Sequence, residues 1–214
     1  MKKLMMMVAV MMGLTVAAGA LPVDQLTITL TPNVNANVAI TTTTVRWQNV
    51  GAGEIAGLDL GTLDLGATAY MIQPATFTMT GSFAAMEVSV EAVGYTMGAW
   101  SFDADGTANE DALQVYALMS AATEPDAPVL TDYDNGSGDN VGDQIIASAR
   151  RYGRSGSEDV LNNSIYQKSS YNSASENMAN GEQRHMWLRA DLPPSTSDTG
   201  ARAFAVMLTA QITN

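Results

Sequence analysis

Alternating apolar and polar residues recur along the chain and predict β-strands. In residues 26–31, leucine and isoleucine alternate with threonine, so a strand here would bury one face and expose the threonines. The same period of two recurs in residues 86–91 and in residues 204–212. Residues 113–119 are apolar on both faces, which predicts a central strand covered from both sides.

Further runs favour strands at residues 38–47, 95–102 and 185–192. Glycines and prolines separate these runs, and no segment keeps a 3.6-residue apolar repeat beyond two turns. Residues 143–152 are the one plausible helix. The pattern therefore predicts an all-β fold, with a single antiparallel β-sandwich domain, Ig-like or jelly-roll, at residues 21–214.

Three segments interrupt the strand pattern. Residues 57–66 nearly repeat themselves with a phase slip at Gly61, which predicts a bulge or a strand that changes sheets. Proline, glycine, asparagine and aspartate predict a loop at residues 123–142. Residues 153–183 are rich in serine and asparagine, and so long a loop in a compact domain is typical of a mobile or functional excursion.

The N-terminus has the pattern of an export signal. Two lysines precede an apolar stretch at residues 4–16, and residues 18–20 supply the small side chains that a signal peptidase needs. The stretch is shorter than the roughly 20 residues that span a bilayer, and no stop-transfer pattern follows. We therefore predict a signal peptide at residues 1–20, cleaved before Leu21. The mature chain is then expected without a transmembrane anchor, in the periplasm, at the cell surface or outside the cell.

Charge and composition exclude several functions. The 214 residues include 22 acidic and 10 basic ones, a net charge of −12, which deepens to −14 when the two lysines of the signal peptide leave. Nucleic-acid binding needs a basic face that displaces phosphate counterions, so no nucleic-acid partner is expected. Because the sequence has no cysteine, disulfides, thiolate metal sites and cysteine nucleophiles are excluded.

The acidity is concentrated in one region. Between Arg46 and Arg150 the chain has 15 carboxylates and neither lysine nor arginine, whereas from Arg150 onward seven basic residues face six acidic ones. This asymmetry would let subunits attract head to tail, or let divalent cations bridge the acidic region. A solvated acidic surface that keeps an exported protein soluble explains the asymmetry equally simply.

Two aspartate clusters are the candidate metal sites. Residues 103–111 have the D-x-D-G opening of many calcium loops, and a second cluster follows at residues 132–143. Alternate carboxylates in such loops converge on a hard cation that takes about six to eight oxygen ligands. The predicted calcium ligands are Asp103, Asp105, Asp111, Asp132, Asp134 and Asp139.

Neither cluster is an EF-hand. In the second one, Asp132, Asp134 and Asp143 occupy relative positions 1, 3 and 12 of such a loop. Yet Ser137 stands at position 6, where the sharp turn needs glycine, and the first cluster has Ala108 at that position. Aspartate and glycine are also the default residues of β-turns, so a purely structural role for both clusters stays open.

No catalytic constellation stands out. His185 is the only histidine, and no G-x-S-x-G turn or comparable nucleophile context accompanies it. No P-loop, dinucleotide fingerprint or zinc-ligand spacing occurs either, so we predict a non-enzymatic protein. Aromatic residues could form a sugar-stacking platform, although aromatics in strands more often pack in the core. They are Trp47, Trp100, Trp187, Tyr70, Tyr95, Tyr116 and Tyr133.

Three motifs are shared with one group of exported proteins. Residues 31–34 read TPNV, residues 60–66 read LGTLDLG, and residues 187–197 follow the pattern W-[FL]-R-x-x-x-P-x-x-TS. With them the chain resembles an uncharacterised group of secreted bacterial β-sandwich proteins of the envelope or surface. The match covers both ends of the chain, and the resemblance implies export and a sandwich fold but no catalytic residue.

The sequence thus favours a non-enzymatic structural protein of the bacterial cell envelope or surface, able to self-assemble into a layer, filament or matrix. Its expected partners are copies of itself or other cell-surface components, with calcium as a candidate cross-linker and no required cofactor. The alternative is a calcium-dependent carbohydrate-binding or adhesion module.

Overall fold

The computed structural model describes residues 35–42, 44–103, 107–122, 127–133, 145, 151–152 and 177–212. Eleven strands and one short 3₁₀ helix, Leu130–Asp132, lie in these residues. The strands are β1 (Asn35–Thr42), β2 (Arg46–Asn49), β3 (Gly53–Ala56), β4 (Thr68–Gln73), β5 (Ala75–Ser82), β6 (Met86–Thr96), β7 (Ser101–Phe102), β8 (Ala112–Ala121), β9 (Arg151–Tyr152), β10 (Gln183–Asp191) and β11 (Ala203–Ile212).

Eight of these strands form a large curled sheet around β10. One edge of β10 pairs with β8 along eight residues, and the other edge pairs with β5 and then with β4. Pro74 separates β4 from β5, because a proline cannot donate to the ladder and interrupts the strand. Beyond this interrupted strand, β5 pairs with β1, while β4 pairs with β2 and β2 with β3.

The second sheet is small. It contains β11, β6 and β9 in that order, and all its pairs are antiparallel. Its central strand, β6, pairs with β11 along ten residues and with β9 along two. Among the described strands, β11 therefore has one paired edge and one free edge.

The core lies between the inner faces of the two sheets. Alternate residues of β5 in the large sheet are buried, as are the apolar residues Val88, Val90 and Ala92 of β6. Glu87 and Ser89, on the other face of β6, are buried as well. The two apolar sets belong to one cluster, whose members include Phe77, Met79, Val88, Val90 and Ala92. The fold confirms the prediction of an all-β antiparallel sandwich. The one parallel pair in the described residues joins β7 to β8.

The predicted strands at residues 86–91, 113–119, 185–192 and 204–212 are confirmed in β6, β8, β10 and β11. The predicted two-sided burial of residues 113–119 is also confirmed, because every residue of β8 except its last is buried.

Other strand predictions were wrong. Residues 95–102 are not one strand, because the chain turns after β6, with Gly98 at φ +60° and a hydrogen bond of 2.9 Å from Trp100 N to Met97 O. Residues 38–47 divide into β1 and β2. Residues 57–66 form turns rather than a bulged strand: Gly57, Gly61 and Gly66 all have left-handed φ values, and the Gly61 amide donates to the Asp59 carboxylate.

Parts of the sequence prediction lie outside the described residues. They include the signal peptide at residues 1–20, the strand at residues 26–31, most of the proposed helix at residues 143–152, and most of the loops at residues 123–142 and 153–183.

A substitution at Phe77 tests the packing of the core. Replacing the fully buried Phe77 with alanine leaves a cavity, and we expect Phe77→Ala to lower the free energy of unfolding by about 3–5 kcal/mol. Thr80→Ala, an exposed position on the same strand, should change it by less than about 0.5 kcal/mol. Urea denaturation followed by tryptophan fluorescence measures the free energy of unfolding of both variants. Equal losses in the two variants would show that Phe77 does not belong to the core.

Candidate functional site

The two described aspartates of the first acidic cluster, Asp103 and Asp111, lie at opposite ends of the loop between β7 and β8. Asp103 is buried, and its carboxylate accepts a hydrogen bond of 2.7 Å from Gln114 Nε2. The hydroxyl of buried Tyr116 donates in turn to Gln114 Oε1 at 3.0 Å. Asp103 therefore takes part in a polar network between side chains of this loop and β8.

Asp111 binds a different segment. Its carboxylate accepts hydrogen bonds from Thr196 Oγ1 at 2.6 Å, from the Ser197 amide at 3.0 Å and from Ser197 Oγ. The hydrogen bond from Ser197 Oγ, followed by that from Thr196, lowers the pKa of Asp111 below its ordinary value. The backbone of Asp111 has a left-handed φ of 57°, a conformation that aspartate tolerates better than most residues.

In the second acidic cluster, Asp132 accepts a hydrogen bond of 2.8 Å from the Val129 amide and so caps the 3₁₀ helix. Asp105, Asp134 and Asp139 lie outside the described residues. Within the described part of the chain, no three acidic or histidine side chains come close enough together to hold a metal ion. Calcium binding by the full set of six aspartates stays a prediction.

Thr196 joins three segments of the chain through one hydroxyl group. Its Oγ1 accepts hydrogen bonds from Trp100 Nε1 at 2.8 Å and from the Asp198 amide at 3.1 Å, and it lies 2.6 Å from Asp111 Oδ1 and 2.7 Å from Asp198 O. A threonine hydroxyl has one proton and two acceptor lone pairs, so both lone pairs are used and the proton is shared between two acceptor oxygens. The loop between β10 and β11 is thereby tied to the turn before β7 and to the start of β8.

An ion pair links two residues of the loop between β10 and β11. Arg202 Nη2 lies 2.6 Å from Asp198 Oδ2, and the guanidinium carbon is 5.6 Å from the centroid of the Trp100 ring. The hydrogen bond from Arg202 is the largest of the effects that lower the pKa of Asp198. A Cβ on Gly98 would come within 2.8 Å of the Arg202 guanidinium, so glycine permits this close approach. Arg202 immediately precedes β11, and the ion pair therefore fixes where that strand begins.

Two of the three sequence motifs named above meet at this loop. The amide of Gly66, the last residue of the LGTLDLG segment, donates to Pro193 O at 2.9 Å, and the Leu192 amide donates to Ala67 O at 2.9 Å. The threonine and serine that end the other motif are Thr196 and Ser197, the partners of Asp111. The residues of both motifs thus hold loops together.

The remaining candidates from the sequence lie mainly in the core. Trp47, Trp187, Tyr116 and Tyr133 are buried, whereas Tyr95 is 83% exposed. The half-buried His185 ring packs edge-on against Trp187, with centroids 5.9 Å apart, and burial lowers the pKa of the imidazole.

The unpaired edge of the small sheet was not identified from the sequence. Strand β11 has ten residues with no charge, proline or glycine, and among the described strands it pairs with β6 alone. Its inward residues Val206 and Leu208 are only half-buried, although their partners on β6, Ala92 and Val90, are fully buried. Met207, on the outer face, is 43% exposed. The uncharged run was visible in the sequence, but which strand would be an edge was not.

No protein-family model matches the chain, and a search of curated proteins finds no significant match to it. The fold alone therefore defines the class of protein, an all-β sandwich in which β11 is an edge strand among the strands that the structure describes. No helix in the described residues is long and apolar enough to cross a membrane.

The Thr196 hydroxyl is expected to stabilise the fold. Thr196→Val keeps the side-chain shape but leaves Trp100 Nε1 without its acceptor, and we expect a loss of about 1–3 kcal/mol in the free energy of unfolding. Thr196→Ser retains the hydroxyl and should lose clearly less. Chemical denaturation compares the two variants, and equal losses would show that the hydroxyl does not hold the loops together.

We expect the hydrogen-bonded carboxylate of Asp111 to make the stability of the fold sensitive to acid. Because its pKa in the folded state lies below that of the unfolded chain, the stabilisation is complete above the unfolded value near 4 and is lost as the pH falls through the folded value. In Asp111→Asn we expect a lower melting temperature at pH 7 and a shallower decline between about pH 4 and pH 2. Thermal melts of the wild type and of Asp111→Asn across this pH range measure how steeply each melting temperature falls. If the two melting temperatures fall in parallel, the stabilising role of the ionised Asp111 is contradicted.

Proposed function

We propose that this protein is an exported structural subunit of the bacterial cell envelope or surface, and that it assembles through the free edge of β11. The observation that supports the proposal is the combination of a long, uncharged edge strand with half-buried apolar side chains on its inner face. A free edge presents backbone amides and carbonyls that are ready to pair with a strand of another chain.

The proposal draws on how sandwiches protect their edges. Soluble proteins shorten edge strands, place charges on them or interrupt them with proline or a bulge. Strand β3, at another edge, follows this rule: it has four residues, and its Glu54 forms an exposed ion pair of 3.3 Å with Arg46 on β2. Strand β11 has ten residues without charge or proline, and the irregularity in its pairing with β6 lies at its start, between Ala203 and Phe204. Such a strand is expected in a protein whose edge is occupied in its working state.

The loop between β10 and β11 supports the same function. The bonds of Thr196 and the Asp198–Arg202 ion pair fix the chain immediately before β11. An edge that is held in place loses less conformational entropy on pairing with a partner. Calcium bound at the acidic loops would add a second link between subunits, and this part of the proposal depends on the predicted aspartate ligands.

The assembly edge is tested by two neighbouring substitutions. Val206→Lys places an inward-pointing charge on the edge, whereas Met207→Lys puts the same charge on the exposed outer face. We expect the mature wild-type chain and Met207→Lys to form oligomers at micromolar concentration, and Val206→Lys to remain monomeric. Size-exclusion chromatography with light scattering measures the masses, and circular dichroism confirms that each variant folds.

The same masses are measured with calcium and with a chelator. Oligomers that shrink in the chelator would support the calcium link, and oligomers that persist would leave the strand edge as the sole contact. A wild-type chain that is monomeric in both conditions, or a Val206→Lys chain that assembles like the wild type, would overturn the proposal.

A further inference from the structure

The only histidine of the chain, His185, lies on β10, the strand that pairs with β8, β5 and β4. The residues directly opposite it are Thr76 on β5 and Ser120 on β8, and both are uncharged. The imidazole is half-buried, and its Nδ1 atom is enclosed without a hydrogen-bond partner among the described residues. Because a proton on Nδ1 would be a buried donor without an acceptor, we expect the neutral ring to carry its proton on Nε2.

An indole ring held in a fixed position packs against the imidazole. The rings of His185 and Trp187 meet edge-on, with centroids 5.9 Å apart. Trp187 is buried, and its Nε1 donates a hydrogen bond of 3.0 Å to Ser120 Oγ. A protonated imidazole at this position would lose hydration without gaining a hydrogen bond at Nδ1, so the surroundings of His185 favour the neutral ring.

The neighbouring strands bring no charge to the ring. Strand β5 has no titratable side chain, whereas β4 and β8 have one tyrosine each, Tyr70 and Tyr116. Both tyrosines lie opposite Arg189, four residues along β10 from His185, a spacing of about 13 Å in an extended strand. The hydroxyl of Tyr133 donates to a backbone carbonyl of β10 at 3.3 Å. None of these three phenols offers a carboxylate to an imidazolium.

The charged residues of β10 have partners of their own. Arg184 lies on the opposite face of the strand, and its guanidinium is 2.6 Å from the Glu182 carboxylate. Arg189 and Asp191 share the face of His185, and their charged groups lie 2.5 Å apart. Burial is the one effect that shifts the pKa of the imidazole, and it lowers that pKa below the usual value of 6.5.

We propose that His185 is an acid-sensitive switch in the large sheet: the folded protein keeps the imidazole neutral, and its protonation destabilises the fold through β10. A change at β10 affects much of the sheet, because this strand pairs with three others. The switch acts at a higher pH than Asp111, whose stabilisation declines only below about pH 4. It does not depend on the proposed function.

Protonation of the unfolded chain sets the direction of the effect. Well above pH 6.5, His185 is neutral in both the folded and the unfolded chain and does not change stability. As the pH falls below 6.5, the unfolded chain takes up a proton that the folded chain does not, so the free energy of unfolding declines until the pH reaches the folded pKa. Within this interval, each pH unit should raise the unfolding constant by at most about tenfold.

Nuclear magnetic resonance measures the titration of His185 in the natural chain. A chain without an affinity tag has one histidine and therefore one set of imidazole signals. We expect these signals to titrate with a midpoint below 6.5 in the folded protein, and with a midpoint near 6.5 in urea. A folded midpoint at or above 6.5 would overturn the proposal, because the fold would then not disfavour the protonated ring.

Urea denaturation at several values between about pH 5 and pH 7.5 measures the effect on stability. In His185→Gln the titrating group is gone, so the unfolding constant should rise less steeply with acid than in the wild type. Thr196→Val is the matched control, because it destabilises the fold but keeps the imidazole and should keep the wild-type slope. Equal slopes in the wild type and His185→Gln would contradict the proposal. If His185→Gln does not fold, the imidazole titration of the wild type decides.

Discussion

The sandwich consists of two sheets of unequal size, and the rest of the structure depends on this difference in size. Among the described strands, the inner face of the large sheet extends to β1, while the small sheet ends at β11. Burial is complete beneath the central strands, where Phe77 and Val90 lie, and is partial for the inward residues of β11. Removal of apolar surface from water is worth roughly 25 cal/mol per Å², so a partly covered edge retains a driving force for further association.

The described aspartates of the two acidic clusters make structural hydrogen bonds, the role that turn chemistry left open beside calcium binding. Aspartates that pattern alone assigns to calcium are engaged in hydrogen bonds within the protein wherever they are described: Asp103 with Gln114, Asp111 with Thr196 and Ser197, and Asp132 with the Val129 amide. The bonds of Asp111 join segments that are distant in sequence and hold the chain before β11, whereas those of Asp103 and Asp132 are more local.

The fold class could be predicted because alternation with a period of two directly records which face of a strand is buried. This worked for residues 204–212, where the alternation is long and uninterrupted. It failed at residues 57–66, where apolar residues alternate but three glycines with left-handed backbones turn the chain. It also failed at residues 95–102, since Gly98 introduces a turn that hydrophobicity does not record.

The site was less predictable than the fold. Hydrogen bonds such as that between Trp100 and Thr196 join residues far apart in sequence, and no local pattern specifies them. Whether β11 is central or at an edge depends on strand order, which alternation leaves undetermined. The sequence shows that β11 lacks charge, but only the strand order shows that this uncharged strand lies at an edge.

Amide hydrogen exchange along β11 tests the central claim most directly. Alternate amides of β11 bond to β6, and the others point toward the free edge. Comparison of dilute monomer with assembled protein should show those outward amides exchanging fast in the monomer and slowly in the assembly, while the amides bonded to β6 stay protected in both. Equal protection of the outward amides in the two states would show that the edge is not where the subunits meet.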